Sequence, residues 1–236
     1  MPSASSLPDD VNDDILDAIR VRVWSGFYDE AEVQELIDEV LEDGADEVRL
    51  RAAVAPEFSR KAEAEGTWPE TTDCDRLDAV FQRLAQRGVL GLHNAGYTMS
   101  DGHEDANDQL AKEPSGRYFG YCFYHGQDLE RAVRGEGLML AFDHVEGDVP
   151  EKIKVAQVIR DELESAGFVL SWDGTSNKRI HIPKFHWQRR YQKDLPHYYP
   201  PRPAPIVSPE PTSFLGRLWH KLVGWSGVFG LGFLDI

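Results

Sequence analysis

The N-terminal part of the chain repeats apolar positions with the period of an α-helix. Between residues 8 and 25 the repeated positions are Val11, Ile15, Ile19 and Val23. A second pattern begins at Asp29 and ends at Gly44, and a third covers residues 46–65 despite Pro56. The apolar face of the second helix consists of Val33, Leu36, Ile37, Val40 and Leu41. These patterns predict an N-terminal layer of three amphipathic helices packed against something apolar.

Downstream of residue 67, short apolar runs alternate with helical patterns. Strands are predicted at residues 89–93, 118–124, 138–142, 168–172 and 179–182. Helices are predicted at residues 75–86, 101–112, 128–134 and 150–165. Strands that alternate with helices favour an α/β fold, in which helices pack on a sheet of about five strands.

The last two predicted strands follow a different pattern, because no helix separates them. In FVLSWDGTSNKRIHI, residues 168–182, an Asp-Gly turn lies between two β-forming runs. The segment therefore predicts a C-terminal antiparallel β-hairpin. The sheet is then mixed rather than purely parallel, which gives the fold an α+β tendency.

Composition divides the chain into four parts. Residues 1–66 are the acidic helical layer, and residues 67–193 are the α/β core that forms one domain with it. Residues 194–213 are proline-rich, which predicts an extended linker. Residues 214–236 form an apolar segment that contains tryptophan.

The charge of the chain limits its partners. The formal net charge is −16, and residues 1–50 contain fifteen acidic and only three basic residues. A strongly acidic chain repels phosphates, so we expect no nucleic-acid partner. The same charge favours a protein partner that is basic.

The two cysteines and the apolar runs indicate a compartment. Cys74 and Cys122 give no disulfide framework, which favours a reducing, cytoplasmic environment. The first residues lack the basic and apolar regions of a secretion signal. No uncharged apolar run reaches the roughly 18 residues of a transmembrane helix.

Polar residues collect where the first two predicted strands end. In HNAGYTMSDGHEDA, residues 93–106, a strand ends at His93 and a helix begins near Asp101. The second strand is followed by HGQD, residues 125–128. Ligands of α/β proteins usually bind beyond the carboxyl ends of the strands. The candidate catalytic residues are His93, Asp101, His103, His125 and Asp128, and the candidate ligand-binding residues are Asn94, Tyr97, Thr98, Ser100 and Gln127.

Three interpretations of this cluster remain open. Imidazole and carboxylate groups suit zinc or another divalent metal, although their spacing matches no strong metal motif. A histidine is also a natural general base for a hydrolase-like reaction. In the third interpretation the aspartates cap helices, Thr98 and Ser100 close turns, and the histidines bridge loops.

The run KRIHIPKFHWQRRYQK, residues 178–193, interleaves basic and aromatic residues. That pattern is typical of single-stranded nucleic-acid binding. In so acidic a chain it favours an internal role, in contact with acidic helices or as a dock for the tail.

Several segments together resemble a known family. They are WSGFYDEAEV, WPETTDCDRLDAVF, HNAGYTMSDG, GYCFYHGQDLERA and WDGTSNKRI. The chain resembles an uncharacterised bacterial family, domain of unknown function 6891, over about residues 10 to 190. The resemblance implies a bacterial cytoplasmic protein and assigns no catalytic residue.

The segment at residues 214–236 places Phe214, Leu218 and Leu222 on one face of a predicted helix. We expect it to fold back on the domain or to dock in an oligomer. Peripheral membrane contact is the second expectation, since tryptophans with a few basic residues suit a membrane surface.

Two functions follow from these patterns. The first is a binding or regulatory module that recognises a protein partner, with immunity- or antitoxin-like neutralisation as one form. It rests on the acidic charge and on the lack of a standard catalytic motif. The alternative is a metal- or histidine-dependent hydrolase-like enzyme that uses the five candidate residues.

Overall fold

A computed structural model describes residues 8–41 and 44–193, all of which belong to one compact unit. The helices are α1 (Pro8–Ser25), α2 (Glu30–Val40), α3 (Glu47–Glu65), α4 (Asp73–Gln86), α5 (Met99–Lys112), α6 (Gly126–Val133) and α7 (Val149–Ser165). The strands are β1 (Val89–Leu92), β2 (Gly120–Phe123), β3 (Leu138–His144) and β4 (Ile180–Ile182).

The strands form one mixed sheet in the order β1-β2-β3-β4. β1 and β2 are parallel, with Leu92 opposite Phe123. β3 is antiparallel to both of its neighbours, with Ala141 opposite Phe123. The predicted mixed α/β architecture is therefore confirmed.

The number of strands differs from the prediction, because the run at 168–172 is not a strand. Only Ser171 pairs, through two backbone hydrogen bonds of 2.8 and 3.1 Å with His181. Phe168 instead turns into the core and stacks on Phe185. The predicted C-terminal hairpin is thus a single antiparallel bridge, and four strands make up the described sheet.

Successive residues of β2 point to opposite faces of the sheet. Cys122 belongs to the larger apolar core, which includes buried residues of α4 and α7. Tyr121 and Phe123 belong to a smaller core that includes Ala106 of α5. The sheet is therefore covered on one face by α4 and α7, and on part of the other face by α5.

The three N-terminal helices pack mainly on one another. Their own apolar cluster consists of Ile15, Ile19, Val23, Val33, Ile37, Leu50 and Val54. The predicted helical layer is confirmed, but α2 ends at Val40 rather than at Gly44. Val40 and Leu41, predicted to face inward, are 39% and 36% exposed because they lie at and beyond this end.

The segment that follows β4 joins the helical layer to the α/β core. Phe185 and Trp187 are buried in the larger core, and the indole Nε1–H of Trp187 donates to the carbonyl of Ser25 at 3.1 Å. Arg189 pairs with Asp78 of α4 through contacts of 2.7 and 3.1 Å. The basic and aromatic run has an internal role, but its Arg189 pairs with α4 rather than with the acidic N-terminal helices.

The predicted linker at 194–213 and the apolar segment at 214–236 lie outside the described residues. Within the described part of the chain, no helix combines the length and apolar character needed to cross a bilayer.

Candidate functional site

The loops that follow β1 and β2 run side by side beyond the sheet. The N–H of Ala95 donates to the carbonyl of Tyr124 at 3.0 Å, and the N–H of Gly126 donates to the carbonyl of Gly96 at 2.9 Å. The N–H of Gln127 donates to the carbonyl of Tyr97 at 3.2 Å. The carboxyl ends of the two parallel strands therefore lie together, as the sequence predicts.

Both candidate aspartates belong to capping boxes. The hydroxyl of Thr98 accepts from the N–H of Asp101, and the carboxylate of Asp101 accepts from the N–H of Thr98 at 2.9 Å. These hydrogen bonds hold the pKa of Asp101 below its usual value. Asp128 occupies the same position in α6, where the capping residue is His125. The N-cap residues are Thr98 and His125, so the aspartates complete the capping boxes at the third helical position and are not themselves the N-caps.

His125 is held between the backbone and the carboxylate of Asp128. Its Nδ1 accepts from the N–H of Asp128 at 3.3 Å. Its Nε2 lies 3.2 Å from Oδ2 of Asp128. Burial lowers the pKa of His125, while the Asp128 charge opposes that shift.

Asp128 is fully buried, and its charge is balanced by Arg179, the residue directly before β4. Nη1 of Arg179 lies 2.9 and 2.8 Å from the two carboxylate oxygens of Asp128. The same Nη1 is 3.4 Å from Nε2 of His125. Arg179 therefore completes a His125–Asp128–Arg179 cluster at the end of β2.

His103 lies on α5, over the face of the sheet that carries Tyr121. Its Nδ1 is 2.9 Å from the Tyr121 hydroxyl, and its ring meets that of Phe123 edge-on. Burial is the main cause that lowers the pKa of His103, and it also raises the pKa of Tyr121 to about 12. Tyr121 is therefore a hydroxyl at neutral pH, and His103 is a neutral ring that can accept its proton in a hydrogen bond.

His93 lies apart from the other candidates. It is fully buried, its ring is 4.5 Å from that of Phe81 on α4, and its Nδ1 is 3.0 Å from the Tyr124 hydroxyl. Its Nε2 is 3.4 Å from Oδ1 of Asp78. Because Tyr124 and Tyr121 point to opposite faces, His93 and His103 lie on opposite sides of the sheet.

The candidate ligand-binding residues have mixed exposure. Ser100 and Gln127 are exposed, whereas Asn94 and Thr98 are half-buried. Asn94 has a φ of 48°, the left-handed conformation that asparagine tolerates. Tyr97 is 48% exposed and covers Gly126, where an added Cβ would come within 2.7 Å of its ring.

The structure provides little support for the metal interpretation. Among the described residues, no three histidine, cysteine, aspartate or glutamate side chains are placed to share one ion. Three of the five candidate side chains, those of Asp101, His125 and Asp128, already bond in helix caps.

A polar cleft of about 220 Å³ lies beside His103, on the face of the sheet that carries α5. Its walls include residues outside the set of candidate site residues, namely Asp143, Lys152, Asn177, Lys178 and Arg179. Lys152 pairs with Asp143 at 2.9 Å. Arg179 follows an Asp-Gly turn in a basic run, a weak signal, whereas β3 and α7 bring Asp143 and Lys152 here through tertiary packing alone.

Residues 8–191 match the family described as Domain of unknown function (DUF6891). The chain belongs to this family. No curated protein and no solved structure matches it.

Both cysteines of this DUF6891 protein are buried thiols. Burial raises the pKa of Cys74 to about 12 and also raises that of Cys122. A thiol that keeps its proton is a poor nucleophile. The geometry therefore gives both residues the role of small core side chains.

The DUF6891 domain also presents an acidic stripe on α2. Positions 32, 35 and 39 lie on one side of this helix and are all glutamate, whereas Val33 and Ile37 on the other side are buried. Glu35 and Glu39 are exposed and form no salt bridge with any residue that the structure describes. α2 contains neither lysine nor arginine. We call Glu32, Glu35 and Glu39 the α2 stripe.

Proposed function

We propose that this DUF6891 domain is a binding module that recognises a basic protein partner through the α2 stripe. The observation that carries the proposal is the exposed pair of Glu35 and Glu39. Like charges at this four-residue spacing destabilise a helix, so they add nothing to the fold of α2. A partner that supplies cations would relieve this repulsion on binding.

Several acidic residues elsewhere in the helical layer already pair with arginines. Asp13 of α1 lies 3.4 Å from Arg49, and Asp17 lies 2.6 Å from Arg134. Asp38 of α2 pairs with Arg51. The carboxylates at 35 and 39 remain available to an incoming cation.

An apolar patch adjoins the stripe. Val40 and Leu41 directly follow Glu39 and are 39% and 36% exposed. Protein interfaces combine an apolar centre with a polar rim, and apolar contact adds affinity that charge alone does not provide. The end of α2 supplies both components within a few residues.

Neutralising part of the stripe tests this proposal. The double variant Glu35→Gln/Glu39→Gln of the full chain is titrated against a fluorescein-labelled polylysine peptide, and binding is read by fluorescence anisotropy. Each lost contact removes about 1 kcal/mol of attraction in water, so affinity should fall about tenfold or more. The free energy of unfolding should rise slightly, because a like-charge pair is gone.

A second acidic pair provides the matched control. Glu104→Gln/Asp108→Asn removes two exposed carboxylates with the same spacing from α5, so the net charge changes equally. This control should alter affinity by no more than about twofold, since it lies off the stripe. An equal loss in both variants would show a net-charge effect and would overturn the proposal.

The cellular location and the mode of action are part of the same proposal. We place the protein in the cytoplasm of a bacterium, where an acidic module can neutralise a basic protein in the manner of an immunity protein or antitoxin. The family resemblance supports the bacterial setting. The free thiols of Cys74 and Cys122 suit a reducing compartment.

A further inference from the structure

The cleft beside His103 has more cationic than anionic side chains on its walls, whereas the molecule as a whole is acidic. Three cationic side chains line it, from Lys152, Lys178 and Arg179, together with the neutral ring of His103 and one carboxylate, that of Asp143. The whole chain has 41 acidic and 25 basic residues. A locally basic cleft in so acidic a chain attracts small anions and excludes acidic macromolecules.

Two of these basic groups are fixed in place. Arg179 contacts Asp128 through Nη1, and a guanidinium carries five N–H donors in a fork that suits phosphate. Lys152 is held against Asp143 at 2.9 Å, and both groups are partly exposed on the cleft wall. Side chains that are already positioned lose little entropy when a ligand binds.

Uncharged groups add further donors. Ser176 and Asn177 line the cleft from the loop that precedes β4. Met99, the first residue of α5, also lines it. The tetrahedral oxygens of a phosphate accept from several directions at once, whereas a planar carboxylate accepts from fewer.

We propose that this cleft binds a small phosphate-bearing ligand. A volume of about 220 Å³ is below the range of roughly 300–1,000 Å³ that is usual for drug-sized ligands, which fits inorganic phosphate or a small phosphate monoester. The cleft and the α2 stripe are separate surfaces with opposite charge. This inference is therefore independent of the proposed partner.

Removing one charge from the cleft provides the test. Arg179→Gln is the obvious variant, but it leaves the buried Asp128 unpaired and threatens folding. Lys152→Gln in the full chain is used instead, with inorganic phosphate as the probe and isothermal titration calorimetry as the readout. Affinity should fall about fivefold to tenfold, since one cationic contact is lost.

The same helix offers a matched control. Lys154→Gln removes the same charge two residues away, where Lys154 pairs with Glu151 and lies outside the cleft. It should leave phosphate affinity within about twofold of wild type. Asp143→Asn should act in the opposite direction and strengthen binding, because it frees Lys152 and removes the only acidic group on the cleft wall.

The inference is supported if Lys152→Gln weakens phosphate binding and Asp143→Asn strengthens it. Acetate at equal concentration should then bind more weakly than phosphate. No measurable heat with phosphate or phenyl phosphate would overturn it, as would equal effects of the two lysine variants. Acetate that binds as well as phosphate would replace the phosphate class with carboxylates.

Discussion

Asp78 and Arg189 form an ion pair inside the molecule, between α4 and the segment after β4. Arg189 is only 3% exposed, and its guanidinium also lies over the rings of Phe27 and Trp187. Asp78 is close to Nε2 of His93 as well. This residue pair therefore connects the N-terminal layer, α4 and the interior of the sheet.

Removing one partner of that pair should be costly. Asp78→Ala leaves a buried guanidinium without its carboxylate, which typically lowers the free energy of unfolding by about 3–5 kcal/mol. The double variant Asp78→Leu/Arg189→Met replaces both charges with apolar groups and should lose much less. Denaturant unfolding of the full chain measures both. A double variant no more stable than Asp78→Ala would contradict the account.

Side chains whose role is set locally were predictable in part. Asp101 and Asp128 lie in the first turns of α5 and α6 as expected, but the N-cap residues are Thr98 and His125, three residues earlier. The sequence did not separate His93 from the other histidines, because the face of a residue just beyond a strand depends on packing. Nor did it find Lys152 and Asp143, which tertiary structure alone brings together.

At the scale of elements, α5 approaches β2 closely because of one glycine. A Cβ placed on Gly102 would lie 2.2 Å from the ring of Phe123. Replacing glycine by alanine in a helix usually raises the free energy of unfolding by about 1 kcal/mol, because alanine has the higher helix propensity. At Gly102 the clash with Phe123 makes the same substitution destabilising.

We therefore expect Gly102→Ala to lower the free energy of unfolding by about 1–3 kcal/mol. Phe123→Leu shortens the opposing side chain, so the two substitutions together should cost less than the sum of their separate effects. A double-mutant cycle from denaturant unfolding measures this coupling, expected to exceed about 0.5 kcal/mol. Additive effects would show that the two groups do not clash.

The elements themselves were largely predictable, because amphipathic periods and glycine breaks are local signals. All seven predicted helices and four of the five predicted strands are present in the described residues. The strand predicted at 168–172 is absent because a strand forms only where a neighbouring strand pairs with it. β4 is three residues long, and Ser171 alone finds a partner there.

At the scale of the whole molecule, the charges are separated by the fold. Residues 151–200 hold nine basic and six acidic residues, and several of the basic ones are used internally. Arg189 pairs with Asp78, and Arg190 lies 3.9 Å from Asp75. Glu35 and Glu39 of α2 remain exposed, and the polar cleft lies on a different surface.

Mapping the partner surface tests the central claim most directly. The isotope-labelled full chain is titrated with the polylysine peptide, and amide shifts are followed by nuclear magnetic resonance. The account predicts the largest shift changes at residues 32–41, from the α2 stripe to the apolar end of the helix. Changes concentrated on α5, or spread evenly over the acidic surface, would contradict a specific site on α2.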